Sequence, residues 1–182
     1  VVQALNVHLP GDVAVRDCRE AAGDFHPRYS CTGKRYLYKM HNSRVRDPFL
    51  ENLALLVHTP IREELMNRAA GAFLGTHDFS AFCAAGGSVE DKVRTICRCG
   101  VTRQGELVTL SITGDGFLYN MVRIIAGTLL EVSAGRMAPE DIPAILESRD
   151  RGRAGPTAPP WGLYLDEVFY TDCDGLFSPA EV

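Results

Sequence analysis

The chain has 182 residues, of which 46% are hydrophobic and 23% charged, as expected for a globular protein with one core or two small ones. Charged residues or glycine interrupt its apolar runs well before the roughly 20 residues that a membrane helix needs, so we expect no membrane span. The formal net charge of −4 argues against indiscriminate binding to nucleic acid.

The first predicted strand covers residues 34–40, where the side chains alternate between two faces. One face carries Tyr36, Tyr38 and Met40, and the other carries Arg35, Leu37 and Lys39. On pattern alone, the two tyrosines are most simply core aromatics, each with a hydroxyl that needs a hydrogen-bond partner.

A helix is predicted next, with Thr59 as its N-cap and Pro60 at its first helical position. Its apolar stripe includes Leu65 and Phe73, and we expect Gly75 to end it. Residues 76–82 show no clear periodicity and are predicted to be irregular.

The second half of the chain predicts a hairpin and two helices. Residues 93–102 and 107–113 form the strands of the hairpin, with a tight turn at Gly105. A long apolar helix follows over residues 117–134, and a shorter helix starts at Pro139.

Residues 152–161 contain three prolines and two glycines and are predicted to be a loop, followed by a last strand over residues 163–170. Strands joined by hairpins, with helices between groups, indicate an α+β fold: a mostly antiparallel mixed sheet with helices packed on one face. We expect one domain over residues 1–170, with a frayed tail over residues 171–182.

Arg123 is the most informative residue of the chain because it lies within the apolar helix, among Met121, Val122, Ile124 and Ile125. A guanidinium in apolar surroundings is costly unless an anion or a hydrogen-bonding group meets it. Either Arg123 reaches solvent from one edge of the helix, or a negative group is brought to it. The second alternative describes an active site.

Cysteines and histidines give no metal-binding pattern. The six cysteines lack a disulfide framework, which predicts buried, reduced thiols and a cytoplasmic protein. Cys97 and Cys99 would point both thiols to one face of a strand, but no second pair with zinc spacing follows.

The residues at the start of the chain lack a basic segment followed by a long apolar stretch, so we expect no signal peptide.

Basic residues are concentrated in two groups. The first runs from Arg28 to Arg46, and the second comprises Arg149, Arg151 and Arg153. Each group taken alone is either a solvated surface or part of a nucleic-acid interface.

Seven blocks, in order, resemble the tRNA pseudouridine synthase A family from about Leu5 to Tyr170. Seven ordered blocks are far more specific than any one of them. They are Asn6-x-x-Leu9-Pro10-Gly11-Asp12, Asp24-Phe25-His26-x-Arg28, Lys34-Arg35-Tyr36-x-Tyr38, His77-Asp78-Phe79-x-x-Phe82, Val93-Arg94-Thr95-Ile96, Phe117-Leu118-x-Asn120-Met121-Val122-Arg123 and Ala158-Pro159-Pro160-x-Gly162-Leu163-x-Leu165.

The resemblance implies an isomerase that detaches uracil from ribose, turns it and rejoins it through carbon 5, without cofactor or metal. It implies that Tyr36 lies against the target base and assists proton removal, that Arg123 pairs with the catalytic aspartate, and that Leu163 lines the base pocket. Arg35 and Asn120 are further expected substrate contacts. The target uridine must be flipped out of its stack to reach such a pocket.

The resemblance also implies the partners. We expect the protein to bind the anticodon stem and loop of tRNA and to form a homodimer. We also expect a cytoplasmic location without membrane association.

The main departure from the family concerns its catalytic aspartate. The family's nucleophilic aspartate belongs to a Gly-Arg-Thr-Asp-x-Gly-Val-His block that precedes the segment matched by Asn6 to Pro10, and no aspartate of this sequence matches it. We therefore expect that block upstream of Val1 and no turnover by these residues alone. A smaller departure is Tyr119, where many relatives carry histidine.

Two other interpretations remain open. The chain could be a non-catalytic RNA-binding module, in which the basic residues 28–46 contact phosphates and Tyr29, Tyr36 and Tyr38 stack on bases. It could also be an unrelated α+β domain with chance matches. The enzyme interpretation requires Tyr36, Arg123 and Leu163 to meet in one cleft.

Overall fold

The computed structural model describes residues 1–87 and 89–170. The chain forms two compact units, Val1–Ser30 and a larger unit that starts at Cys31. The predicted frayed tail from Thr171 lies outside the described residues.

The first unit contains one short helix, α1 (Val2–His8), which has no buried residue. Local polar contacts hold its loop: the amide of Asn6 donates to the Val15 carbonyl at 2.8 Å and accepts from the Val15 backbone N–H at 2.7 Å. The rings of His26 and Tyr29 lie 4.3 Å apart. This unit is organised by hydrogen bonds and ring contacts within itself.

The described residues of the larger unit form one sheet of six strands. The strands are β1 (Gly33–Asn42), β2 (Leu55–Val57), β3 (Gly75–Asp78), β4 (Val93–Gln104), β5 (Leu107–Gly114) and β6 (Leu163–Phe169). Their order is β2-β1-β5-β4-β3, and β6 also pairs with β1. The β1–β2 pair is parallel and the other pairs are antiparallel, as a mostly antiparallel mixed sheet requires.

The hairpin of β4 and β5 confirms the predicted turn, with Gly105 at φ +60°. The prediction that Cys97 and Cys99 share one face assumed strict alternation along the strand, but the register shifts between Ile96 and Arg98. Such a bulge interrupts the strict alternation of side chains. Cys99 lies opposite the core residue Ile112, and burial raises the pKa of its thiol to about 12.

The cysteines differ in exposure: Cys18 is exposed rather than buried, while the other described cysteines are half-buried. Within the described part of the chain, no group of three or more His, Cys, Asp or Glu side chains is arranged to hold a metal ion.

Up to residue 170, the described part of the larger unit has three α-helices: α2 (Glu63–Gly71), α3 (Met121–Ser133) and α4 (Ile142–Ser148). The prediction that Thr59 caps the first of them is wrong. The amide of Asn42 donates to the carbonyls of Val57 and Thr59 and accepts from the N–H of Ile61, which keeps this segment extended beside β1. The helix therefore begins only at Glu63.

Three further boundaries differ from prediction. Helix α2 ends at Gly71, so the prediction that Gly75 ends it is wrong; Gly75 begins β3, and the segment predicted to be irregular is partly an edge strand. The long helix begins at Met121 rather than at residue 117, because Asn120 has φ +58° and interrupts helical geometry. Pro139 begins a 3-10 turn, Pro139–Asp141, that leads into α4.

The core lies between the helices and one face of the sheet, which confirms the predicted fold class. Tyr38, Met40, Leu110 and Ile112 supply fully buried side chains from β1 and β5. The helices and loops add Phe73, Phe79, Phe82, Met121, Ile124, Ile125 and Leu129. Among the described residues, no helix has the length and apolar character needed to cross a bilayer.

Candidate active site

A cavity of about 130 Å³ opens where β1, the start of α3 and the start of β6 meet. Four of the sequence-predicted site residues line it, whereas Arg35 does not. The lining residues are Tyr36, Phe117, Leu118, Asn120, Met121, Val122, Arg123 and Leu163. Residues more than 120 positions apart in the chain thus meet at one point, as the enzyme interpretation requires.

Tyr36 forms one wall of the cavity. It is half-buried on β1, and its ring meets Phe117 edge to face with centroids 5.1 Å apart. Burial raises the pKa of its hydroxyl above the ordinary value. The phenol is therefore protonated at neutral pH, so it can donate a hydrogen bond, while proton removal would need a partner that favours the phenolate.

Arg123 lies in the first turn of α3 and is half-buried. Its Nε donates to the Ala158 carbonyl at 2.7 Å, and its Nη1 donates to Oδ1 of Asn120 at 2.9 Å. The sequence left two alternatives for Arg123, exposure to solvent or pairing with a negative group. The arrangement matches neither fully, because both acceptors are neutral. No carboxylate within residues 1–87 and 89–170 forms an ion pair with Arg123, and Nη2 has no hydrogen-bond acceptor there.

Asn120 connects the turn to the helix. Its left-handed backbone conformation is one that asparagine tolerates better than most residues. Its carbonyl accepts from the Ile124 N–H at 3.0 Å, while its side-chain oxygen is used by Arg123. The structure therefore gives this amide a contact within the protein as well as a position in the cavity wall.

Leu163 begins β6 and lies opposite Tyr38 in the ladder with β1. The preceding loop reaches it after crossing α3 at very short range. A Cβ at Gly127 would lie 1.8 Å from the Pro156 carbonyl oxygen, and one at Gly155 would lie 2.6 Å from Cα of Thr128. Glycine at both positions lets the two backbones touch, which fixes the loop and hence Leu163.

One arginine of the second basic group, Arg151, supports this loop. Arg151 donates to the Gly155 carbonyl at 2.9 Å and to the hydroxyl of Thr157 at 3.1 Å. Arg149 forms an ion pair with Asp78 at 3.0 Å. Arg151 is thus engaged within the protein, whereas Arg149 remains largely exposed beside its carboxylate partner.

Arg35 lies outside the cavity. It follows the alternation of β1 onto the face opposite Tyr36, where its guanidinium meets Asp166 at 2.5 Å and Glu167 at 2.7 Å. Its role as a substrate contact stays a prediction, and any such contact would compete with two carboxylates.

Larger cavities occur elsewhere in this unit. One of about 520 Å³ is lined by His77, Asp78 and Arg149 among others. The pKa of Asp78 is lowered, first by the hydrogen bond from the hydroxyl of Ser80, and the Arg149 charge also contributes. We favour the smaller cavity because its arginine retains donors without an acceptor, whereas Arg149 already has an anionic partner.

Tyr38, which on pattern alone is a core aromatic, has a contact next to the site. It is fully buried, but its hydroxyl donates to the Pro159 carbonyl at 2.8 Å, next to the carbonyl that holds Arg123. The only sequence signal was a polar hydroxyl on an otherwise apolar face. Full burial also rules out the stacking on RNA bases that the binding-module interpretation gave to Tyr38.

Comparison with known proteins identifies the chain's relatives. The sequence model of the tRNA pseudouridine synthase family matches residues 69–171. The tRNA pseudouridine synthase A of Acetivibrio thermocellus is 50% identical over 167 residues, which cover 92% of this chain and 68% of the relative. That of Lysinibacillus sphaericus is 50% identical over 169 residues, with coverages of 92% and 69%.

The similarity is not confined to those two proteins, since the tRNA pseudouridine synthase A of Exiguobacterium sibiricum is 45% identical over 172 residues. That alignment covers 94% of this chain and 68% of the relative. Together with the matched family model and the mixed α+β fold, these relatives show that the chain belongs to the tRNA pseudouridine synthase family, a family of isomerases.

Proposed function

We propose that the protein isomerises uridine to pseudouridine in the anticodon stem and loop of tRNA, at the cavity formed by Tyr36, Asn120, Arg123 and Leu163. One observation carries this proposal: a half-buried guanidinium faces the cavity with both of its assigned acceptors neutral. Such a group is suited to receive and orient a carboxylate.

The reaction balances as an isomerisation. The bond from ribose C1′ to N1 of uracil breaks, the base turns, and a bond from C1′ to C5 forms. The proton on C5 is released to solvent, and N1 gains one. There is no net redox change, and the proposal includes neither a metal nor a cofactor.

The target base has to leave its stack before this chemistry. Tyr36, Phe117 and Leu163 supply aromatic and apolar walls for an extruded uracil. A volume of about 130 Å³ is small, so we propose that the walls separate when the base enters.

In this proposal the nucleophilic carboxylate belongs to the family's Gly-Arg-Thr-Asp-x-Gly-Val-His block, which no aspartate of the 182 residues matches. Arg123 would lower the pKa of that carboxylate and aim it, since an opposite charge at hydrogen-bond distance favours the ionised form. The 182 residues alone are then expected to have no turnover. We also propose a homodimer and a cytoplasmic location, both on the resemblance to the family.

The test is tritium release from tRNA that carries 5-tritiated uridine. It compares the 182-residue chain with a fusion that adds the aspartate-containing N-terminal segment of a relative. Release by the fusion alone is the expected result. Release by the 182 residues alone would overturn the assignment of the nucleophile, and release by neither would overturn the proposed reaction for this chain.

The alternative, a non-catalytic RNA-binding module, is favoured by one feature of the first unit. Tyr29 is 76% exposed, and the Arg28 guanidinium lies 5.8 Å from its ring centroid, an arrangement that can stack on a base. Steeply salt-dependent tRNA binding by the fusion without tritium release would support this alternative.

A further inference from the structure

Tyr38 lies directly behind the cavity without lining it. It is two residues along β1 from Tyr36 and is fully buried. Its ring lies beneath Gly162, where a Cβ would approach Cζ of the ring to 2.9 Å. A tyrosine so enclosed must place its hydroxyl against a specific partner, because an unpaired buried hydroxyl costs free energy.

That partner connects Tyr38 to the candidate site. The hydroxyl donates to the Pro159 carbonyl at 2.8 Å. The preceding carbonyl, that of Ala158, accepts from Nε of Arg123 at 2.7 Å, and the Ala158 N–H donates to the Arg123 carbonyl at 3.1 Å. Two consecutive carbonyls of the loop are thus fixed, one by the tyrosine and one by the arginine.

The loop is stiff from Ala158 to Pro160, so a shift of one carbonyl there also moves its neighbour. Ala158 precedes Pro159, and Pro159 precedes Pro160, so each proline restricts its own φ and the conformation of the residue before it. A displacement of the Pro159 carbonyl therefore carries the Ala158 carbonyl with it. The guanidinium that hydrogen-bonds to that carbonyl would change direction as a result.

We propose that Tyr38 is a positioning residue for Arg123: its hydroxyl fixes the peptide segment 158–159, and that segment holds the guanidinium with its remaining donors toward the cavity. The catalytic consequence of this inference rests on the proposed function, whereas the geometric part does not. Tyr38 acts as a fixed donor, since burial raises the pKa of its hydroxyl to about 12 although the Arg123 charge opposes the shift.

The experiment compares Tyr38→Phe with Tyr164→Phe. Each substitution removes only a hydroxyl, and the Tyr164 hydroxyl also donates to a backbone carbonyl, that of Leu53, at 2.6 Å. Tyr164 does not line the cavity. Both variants keep their rings, so the packing of the core is retained.

The first measurement follows the ¹H–¹⁵N signal of the Arg123 Nε–H in the 182-residue chain, assigned by its loss in Arg123→Lys. We expect Tyr38→Phe to move this signal toward the position of a solvated arginine and Tyr164→Phe to leave it unchanged. An unchanged signal in Tyr38→Phe, or equal movement in both variants, would overturn the inference.

The second measurement uses the fusion that releases tritium. Loss of one hydrogen bond behind the arginine is expected to lower kcat about threefold to tenfold with little change in KM. A rise in KM at constant kcat would contradict a positioning role. If the unsubstituted fusion shows no turnover, the proposed function fails, and the ¹H–¹⁵N comparison still decides whether Tyr38 positions Arg123.

Discussion

The two ends of helix α3 hold their arginines in opposite ways. At the start of the helix, Arg123 is half-buried and meets two neutral acceptors, the Ala158 carbonyl and the Asn120 amide. Just beyond the end, Arg136 is exposed and forms a two-point ion pair with Glu131, at 2.6 and 2.8 Å.

The comparison shows which of the two arginines lacks an anionic partner among the described residues. Arg136 and Glu131 satisfy each other: the pKa of Arg136 is raised and that of Glu131 is lowered, each chiefly by their mutual hydrogen bonds. Arg123 sits where an anion would be worth more, because water is partly excluded, yet the described residues give it none. A protein tolerates such an arrangement where a charged partner is to be received.

Removal of each arginine tests this contrast most directly. In the tritium-releasing fusion, Arg123→Ala is expected to lower kcat about 100-fold to 1000-fold, because the charge that orients the nucleophile is lost. Arg136→Ala at the other end of the helix is the matched control, with an expected change below about twofold. Near-normal activity of Arg123→Ala would contradict the proposed site.

Gly127→Ala tests the backbone contact that fixes the loop beside Arg123. The added Cβ would lie 1.8 Å from the Pro156 carbonyl oxygen, so loop and helix must separate. We expect the free energy of unfolding to fall by about 2–3 kcal/mol, measured by urea denaturation. Gly71→Ala in α2 is the control, since its Cβ would meet no atom within 4 Å, and it should be neutral or slightly stabilising.

Asn120→Asp would supply the start of α3 with the anion that it lacks. The carboxylate should pair with Arg123 and raise the free energy of unfolding by about 1 kcal/mol, while activity of the fusion falls because the guanidinium is already occupied. Asn120→Gly is the control: it retains the left-handed backbone and removes the acceptor without adding a charge.

The pH dependence of that stabilisation has a definite sign. Arg123 would lower the pKa of the introduced carboxylate in the folded state, so the gain is fully present above the unfolded value of about 3.9. It disappears as the pH falls through the lower, folded-state pKa. A gain that persisted at lower pH would contradict an ion pair.

Arg136→Gln has the smallest expected effect. The lowered pKa of Glu131 means that its ion pair stabilises the fold above the unfolded glutamate pKa and is lost as the pH falls through the folded value. The difference in Tm between the variant and the unsubstituted chain should therefore be small at pH 7. It should vanish at low pH and at high salt, since both partners are accessible to solvent.

Much of the site followed from the sequence. The alternation over β1 indicated that Tyr36 and Arg35 would point to opposite faces, and the apolar neighbours of Arg123 indicated a guanidinium that needs a partner. The hairpin turn at Gly105 was also predictable, because glycine adopts the positive φ that a tight turn requires.

What escaped prediction depends on contacts distant in the chain. The start of α2 is delayed by the Asn42 side chain, and the hydroxyl of Tyr38 meets a carbonyl 121 residues away. The start of α3 is set by Asn120, whose left-handed conformation is permitted by its residue type but not required by it. Local propensity carries no information on such partners.

The position of β1 in the sheet determines how slowly its backbone amides exchange with solvent. One edge of this strand pairs with β5 over Lys34 to His41, and the other edge is shared by β6 over Gly33 to Tyr38 and β2 over Met40 to Asn42. Backbone amides so enclosed exchange with solvent only through large openings of the structure. The amides of the strand that carries Tyr36 should therefore be among the last of the larger unit to exchange. The wall of the cavity that β1 forms should be lost only when the unit as a whole unfolds.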